Sequence, residues 1–436
     1  MTICFYTLGC KVNQYETEAM AERMRAAGYT LVRAGEESDV IVINSCTVTG
    51  ESDSKVRKLL RRCRRECPGA VIAVTGCYPQ AVADAADALA EADIVMGTRN
   101  RALLPGYVAD FFEHRQRIVA VRPHEEGEDF EAMQVKAFAK RTRAFVKIQD
   151  GCNRYCSYCI IPTARGPIRS KPLPAIREEL SALAAAGYKE AVLVGINLSA
   201  YGEETGLSLP DAVEAAASAE GIERIRLGSL EPDKFDEGLI SRLSACPKLC
   251  GQFHLSLQSG CRETLKRMNR HYTPAEYEEV VNRLRAAFPG CAITTDVMVG
   301  FAGETEAEFE ESLTFVRKIG FAKVHTFAYS PRPGTVAAGL AGQVPKEEKE
   351  RRSKRMMAQA EQDRAAFLKA QVGRVEPVLF EQEAADGVWE GYTPNYTPVR
   401  VTGAGLSGRI LPVRLTGCRD GWCVGNPAEA RKEEPV

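Results

Sequence analysis

The sequence predicts an α/β protein in three parts: an N-terminal open parallel α/β domain, a central incomplete (β/α)6 barrel and a C-terminal small β barrel. Three observations predict this. Residues 1–100 alternate unbroken apolar runs with helical stretches, the texture of a parallel sheet covered on both faces. The middle of the chain repeats a strand–helix unit. From Gly373 onward, short β-rich runs are separated by Gly, Asp, Asn and Pro, as in a small barrel. The expected boundaries are a domain at 1–110, a linker at 111–140, a core at 141–370 and a β domain at 371–436.

The first part places cysteines in a pattern. Ile3 to Leu8, Val40 to Ile43 and Val71 to Val74 read as strands, with helices over Glu16 to Ala27 and Ser52 to Glu66 between them. Each strand is followed within a few residues by a cysteine: Cys10, Cys46 and Cys77. In an open parallel sheet all the C-terminal strand ends lie on one edge, where ligands bind. Each cysteine follows Gly or Ser, which lets the backbone turn closely. Three thiols at one edge suit an iron–sulfur cluster, with zinc as the competitor. Cys4 lies inside its strand and reads as core, and Cys63 and Cys67 read as packed helix residues. The second helix carries Lys55, Arg57, Lys58, Arg61, Arg62, Arg64 and Arg65. It is either a phosphate-contacting patch or a solvated face.

The linker is acidic from Glu125 to Glu131. A strand, Ala144 to Gln149, then runs into Cys152, Cys156 and Cys159 with the spacing C-x3-C-x2-C. Three thiolates on one tight loop hold three irons of a cubane and leave the fourth open for a ligand to bind. No fourth Cys or His is close enough in sequence to close a zinc site. Five further strands follow at 191–195, 224–230, 252–257, 292–300 and 323–329, completing six units. Active sites of parallel barrels lie at the C-terminal strand ends. Those ends carry Gly195, Asn197, Ser229, Glu231, Gln258, Ser259, Asp296, Gly300 and Glu304. A charged helix over Lys346 to Lys369 leads to the tail. There Tyr392, Tyr396, Arg400, Arg409 and Arg414 are either an RNA-stacking surface or part of a docking domain.

Composition narrows the classes. The 436 residues are 45% apolar and 26% charged, which excludes a mostly disordered chain. Net charge is −1, from 57 basic and 58 acidic residues, so there is no global signal for nucleic acid. No apolar stretch is long enough to span a bilayer, and Met1 to Leu8 lacks a signal-peptide layout. A cytoplasmic protein with no membrane partner is expected. Fifteen cysteines in that compartment point to metal binding or catalysis rather than disulfides.

The C-x3-C-x2-C loop resembles that of the radical S-adenosylmethionine superfamily. The order of parts over essentially the whole chain resembles the methylthiotransferases, whose C-terminal domain is a TRAM domain. Further resemblance is carried by Cys152 to Arg169, by Ser229-Leu230-Glu231-Pro232, by Ser256-Leu257-Gln258-Ser259-Gly260 and by Leu265-Lys266-Arg267-Met268-Asn269. Thr7-Leu8-Gly9-Cys10-Lys11-Val12-Asn13-Gln14 looks like the branch that modifies threonylcarbamoyladenosine in tRNA. Other branches modify isopentenyladenosine or a ribosomal protein. One departure is Ala302, where proline is usual.

The resemblance implies two [4Fe-4S] clusters, one on Cys152, Cys156 and Cys159 and one on Cys10, Cys46 and Cys77. It implies two S-adenosyl-L-methionine molecules per turnover, the tRNA anticodon loop as partner and a flavodoxin-type electron donor. Gly195, Asn197, Glu231, Gln258, Arg267 and Asp296 are the expected cofactor contacts. The expected reaction converts C2–H of the modified adenine at position 37 into C–S–CH3. A non-enzymatic iron–sulfur RNA-binding sensor is the alternative from another class.

Overall fold

A computed structural model describes residues 1–138 and 142–428. The end of the expected linker (139–140), the first residue of the expected core (141) and the last eight residues of the tail lie outside the described residues.

The first sheet contains β1 (Thr2–Thr7), β2 (Thr30–Leu31), β3 (Val40–Ser45), β4 (Val71–Gly76), β5 (Ile94–Met96) and β6 (Ile118–Ala120). Their order is β2-β1-β3-β4-β5-β6 and every pair is parallel. Both faces are covered, which explains the unbroken apolar runs. Ile41, Ile43, Ile72 and Val74 pack under Val56 and Leu60 of the helix Gly50–Glu66. On the other face Val40, Val42, Val71 and Ala73 meet Met20 and Met24 of the helix Lys11–Ala26. The segment read as a linker supplies β6, so the first sheet runs on to Ala120.

The helix Lys11–Ala26 also faces the second core. Val12, Tyr15 and Ala19 pack with the residues of the central barrel, and Tyr15 Oη donates to the Met133 carbonyl at 2.7 Å. One helix thus fills both cores and locks the first two parts together.

The central strands are β7 (Arg143–Lys147), β8 (Gln149–Asp150), β9 (Arg169–Ser170), β10 (Glu190–Val194), β11 (Arg224–Leu227), β12 (Ser229–Leu230), β13 (Gln252–Leu255), β14 (Ala292–Val299) and β15 (Lys323–Ala328). They form the parallel sheets β11-β10-β7 and β12-β13-β14-β15. Only Gly228 separates β11 from β12, so the two sheets are halves of one curved wall of six strand units. No pairing joins β15 to β7 among the described residues, and the barrel is incomplete as expected. The antiparallel pair β8–β9 brackets the three-cysteine loop.

The helix Lys346–Lys369 packs along β15 and leads to the tail. There β16 (Val375–Ala385), β17 (Val388–Tyr392), β18 (Pro398–Thr402), β19 (Ile410–Arg419) and β20 (Trp422–Pro427) close into a barrel in the order β16-β17-β18-β20-β19. Its core is Val378, Phe380, Val399, Val401, Val413 and Leu415.

Candidate active site

Cys10, Cys46 and Cys77 follow the C-terminal ends of β1, β3 and β4, three neighbours in one sheet. Cys10 is the N-cap of the helix Lys11–Ala26, and Cys77 opens the short helix Cys77–Ala81. The turns that deliver them need glycine. At Gly76 φ is +101°, and an added Cβ would lie 2.4 Å from the Ser45 carbonyl oxygen. At Gly9 φ is +104°, and a Cβ would lie 2.6 Å from Cys46 Cβ. Cys46 is therefore packed against the backbone at Gly9, the residue that precedes Cys10. Burial pushes the Cys77 thiol up to about 12, opposed by the guanidinium of Arg165, whose Nε lies 3.2 Å from Cys77 Sγ.

The second trio is held from both sides. Cys152 N–H donates to the Gly166 carbonyl at 3.0 Å, and Gly151, at φ +77°, passes so close to Pro167 that a Cβ there would clash with its carbonyl. Burial raises the Cys152 thiol to about 11 and the Cys159 thiol to about 12, while the backbone N–H groups of Arg154 and Ile161 oppose those shifts. Arg270 Nη1 lies 3.3 Å from Cys156 Sγ. Bare thiols this buried stay protonated at neutral pH; a bound metal would supply the positive charge that ionises them.

Among the described residues, no three His, Cys, Asp or Glu converge as the ligands of one metal ion. A cubane asks for something else, because each thiolate takes a different iron at a separate corner. Both trios fit that demand: thiols only, buried or half-buried except for the exposed Cys10, with cationic or N–H donors against a sulfur of each trio.

Two cavities lie beside the trios, each bordered by one of their cysteines. One, of about 440 Å³, is lined by Cys159, Tyr158, Gln258, Asp296, Met298 and Phe327, with Val48 and Thr49 reaching in from the first domain. The other, of about 690 Å³, is lined by Cys10, Lys11, Arg226, Asp296, Lys323 and His325, with Tyr396 entering from the tail barrel. Asp296 lies on the wall of both. All three parts of the chain therefore border one region.

The expected contact residues divide. Gln258 and Asp296 line the cavities, and Gln258 takes φ +65° there with its Oε1 buried and unpartnered. Asn197 Oδ1 is likewise buried without a partner, and the Asn197 N–H donates to Gln149 Oε1 at 2.7 Å. Such orphaned acceptors are expected where a polar ligand binds. Gly195 lies against Gln149, with room for no Cβ. Glu231 pairs with Arg270. Arg267 points elsewhere: it pairs with Glu308 at 2.8 Å and donates to the Ala302 carbonyl at 3.2 Å. The arginine beside the loop thiols is Arg270.

Sequence reading missed a buried charge cluster behind the trios. Glu16 contacts Arg101 Nη1 and Lys147 Nζ, each at 2.7 Å, and Arg165. Asp150 joins it through Lys147 at 2.5 Å. Arg165 follows the three-cysteine loop in sequence and its side chain reaches Cys77 of the strand-end trio. The basic helix is largely paired internally, with Arg64 on Asp93 at 2.6 Å and Arg57 on the Tyr78 hydroxyl at 2.9 Å. Tyr392 and Tyr396 do not form an open platform: they stack at 4.6 Å, and Arg143 and Arg226 sit over the Tyr396 ring at 5.1 and 4.7 Å. The tail barrel docks through them. Cys4 and Cys63 are core, as read.

Comparison with known proteins agrees with this architecture. Residues 2–97 match an uncharacterized protein family, UPF0004, and residues 146–316 match the radical SAM superfamily. The threonylcarbamoyladenosine tRNA methylthiotransferase MtaB of Bacillus subtilis is 39% identical over 95% of this chain and 93% of its own. The MtaB protein of Thermotoga maritima is 37% identical over 91% and 90%. The tRNA-2-methylthio-N(6)-dimethylallyladenosine synthase of Pelotomaculum thermopropionicum is 34% identical over 94% of each. Among solved structures, the radical S-adenosylmethionine methyltransferase TsrM from Kitasatospora setae superposes with a TM-score of 0.59 at 13% identity over 77% of each chain, a likeness of fold. The chain belongs to the methylthiotransferase family of radical SAM enzymes, on its MtaB branch.

Proposed function

We propose that this methylthiotransferase acts on N6-threonylcarbamoyladenosine at position 37 of tRNA and replaces C2–H by C–S–CH3. Cys152, Cys156 and Cys159 would hold one [4Fe-4S] cluster and Cys10, Cys46 and Cys77 a second. When bound, the clusters and S-adenosylmethionine supply reductive cleavage to a 5′-deoxyadenosyl radical and a methylated sulfur for transfer. Two S-adenosylmethionine molecules are consumed per product, one for the radical and one for the methyl group. The electron comes from a low-potential one-electron donor such as a flavodoxin.

The observation that carries this reading is the pair of cavities meeting at Asp296, one bordered by Cys159 and the other by Cys10. Hydrogen abstraction and sulfur delivery must reach one carbon, so both sites must open on one space. Gln258, on the cavity wall, offers an unpartnered acceptor to the amino group of S-adenosylmethionine. Met298, Phe327 and Tyr329 give its cavity the apolar wall an adenosyl group needs. Arg270 and Arg165 place positive charge against one thiol of each trio. An anticodon-loop base is already largely unpaired, so bringing it in costs little. Such a protein works in the cytoplasm, where tRNA is.

Mass spectrometry of tRNA nucleosides from a strain lacking this chain tests the proposal. The 2-methylthio form of threonylcarbamoyladenosine is expected to vanish while its unthiolated precursor accumulates. Loss of methylthio-isopentenyladenosine instead would overturn the substrate assignment.

A further inference from the structure

The cavity beside Cys10 is lined by basic side chains, and two of them make no ion pair among the described residues. Arg226 is engaged, with Nε on Glu190 Oε1 at 2.8 Å and Nη1 on the Pro394 carbonyl at 2.9 Å. Asp296 faces His254, with Nε2 3.3 Å from Oδ2. Lys11 and Lys323 are different. Both line the cavity and are solvent-accessible. Neither makes an ion pair among the described residues. They come from separate parts of the fold, Lys11 from the first helix of the N-terminal domain and Lys323 from the edge strand of the barrel.

The strand alternation sharpens the picture. Along β15, Lys323, His325 and Phe327 lie on one side at every second residue. Lys323 and His325 line the cavity with Cys10, and Phe327 lines the cavity with Cys159. The row thus runs from an ammonium group to an aromatic ring, from an anion-seeking end to an apolar end.

Two unpaired ammonium groups facing one space suit a carboxylate, which can accept charge-assisted hydrogen bonds from both. An apolar substituent in the same place would desolvate them without a counter-charge. We propose that Lys11 and Lys323 bind the carboxylate of the amino acid carried on N6 of the substrate adenosine, and so select a threonylcarbamoyl substituent over an isoprenoid one. The proposal rests on the functional reading above and names the part of the cavity that enforces it.

The test uses reconstituted holoenzyme and three anticodon stem-loop RNAs that differ only at position 37. One carries threonylcarbamoyladenosine, one its threonyl methyl ester and one isopentenyladenosine. Binding is read by fluorescence anisotropy. Wild type is expected to bind the acid about tenfold or more tighter than the ester. Lys11→Met and Lys323→Met should each bring that ratio close to one and leave ester affinity unchanged, while Lys323→Arg keeps the preference. Iron content is measured on each variant, and if Lys11→Met loses iron, Lys323→Met decides alone. A wild type that treats acid and ester alike overturns the proposal. So does a preference that survives the Met variants, or variants that weaken all three RNAs equally, which would mark phosphate contacts. Turnover separates the two claims: wild type that fails to thiolate the threonylcarbamoyl RNA refutes the functional reading, whereas intact turnover without charge discrimination refutes only the carboxylate site.

Discussion

Glu16→Gln removes a carboxylate on which three buried cations converge. Arg101 and Lys147 each approach Glu16 to 2.7 Å, Arg165 also contacts it, and Glu16 and Arg165 are completely buried. Burial alone would raise the Glu16 carboxyl, yet Arg101, Arg165 and Lys147 outweigh it and hold the group well below the ordinary carboxylate range. Glutamine keeps the shape but leaves excess positive charge in a dry interior. Removing one partner of a buried ion pair costs about 3–5 kcal/mol. Asp150, 2.5 Å from Lys147 and 3.5 Å from Arg165, takes up part of that charge, so the lower end, about 3 kcal/mol, is expected. The sign of the pH dependence follows. A carboxyl depressed in the folded state stabilises fully above its unfolded value and stops doing so as pH falls through the folded one. The wild-type advantage should therefore be complete at pH 7 and shrink as the pH drops below about 4.5. Urea unfolding of the two proteins at a series of pH values measures this. A difference under about 0.5 kcal/mol at pH 7, or one that does not fall on acidification, refutes the reasoning.

Three further outcomes are expected. Gly76→Ala puts a Cβ 2.4 Å from the Ser45 carbonyl at φ +101°, so it should cost about 2 kcal/mol or more and reduce iron bound at the strand-end trio; unchanged stability and iron would contradict the geometry. The Cys152→Ala, Cys156→Ala, Cys159→Ala triple variant should make no 5′-deoxyadenosine from S-adenosylmethionine under reducing conditions, measured by chromatography, and continued formation would remove the loop from the chemistry. Affinity for substrate tRNA should fall about tenfold or more between low and physiological salt, read by filter binding, and a flat response would exclude a phosphate-contacting surface.

The two trios were legible in the sequence for different reasons. The loop trio is local, and its spacing alone specifies three thiols on one turn. The strand-end trio is far apart in sequence, but parallel strands end on a common edge, so the apolar runs before Cys10, Cys46 and Cys77 were enough to place the three residues along that edge. What stayed hidden depends on long-range pairing. Glu16 and Arg165 are 149 residues apart and look like ordinary surface charges until a helix is buried between two cores. Arg267 was expected near the cofactor because it lies in a recognisable segment, yet the turn of the short helix Arg262–Arg267 directs it to Glu308, and Arg270 reaches the thiols instead. Tyr396 belonged to an aromatic and basic set open to two readings. The structure uses it for docking, because the cations that cover it come from β7 and β11. The strand β6 was missed because three residues between Arg117 and Arg122 carry too little pattern to stand out.

The central claim is that the chain holds two separate cubane clusters, each on three thiols with one iron left for a ligand. Iron and sulfide analysis of anaerobically reconstituted wild type, beside the Cys10→Ala, Cys46→Ala, Cys77→Ala variant, tests it most directly. The account predicts about eight irons per wild-type chain and about four in the variant. Equal iron in both proteins, or zinc in place of iron, would contradict it.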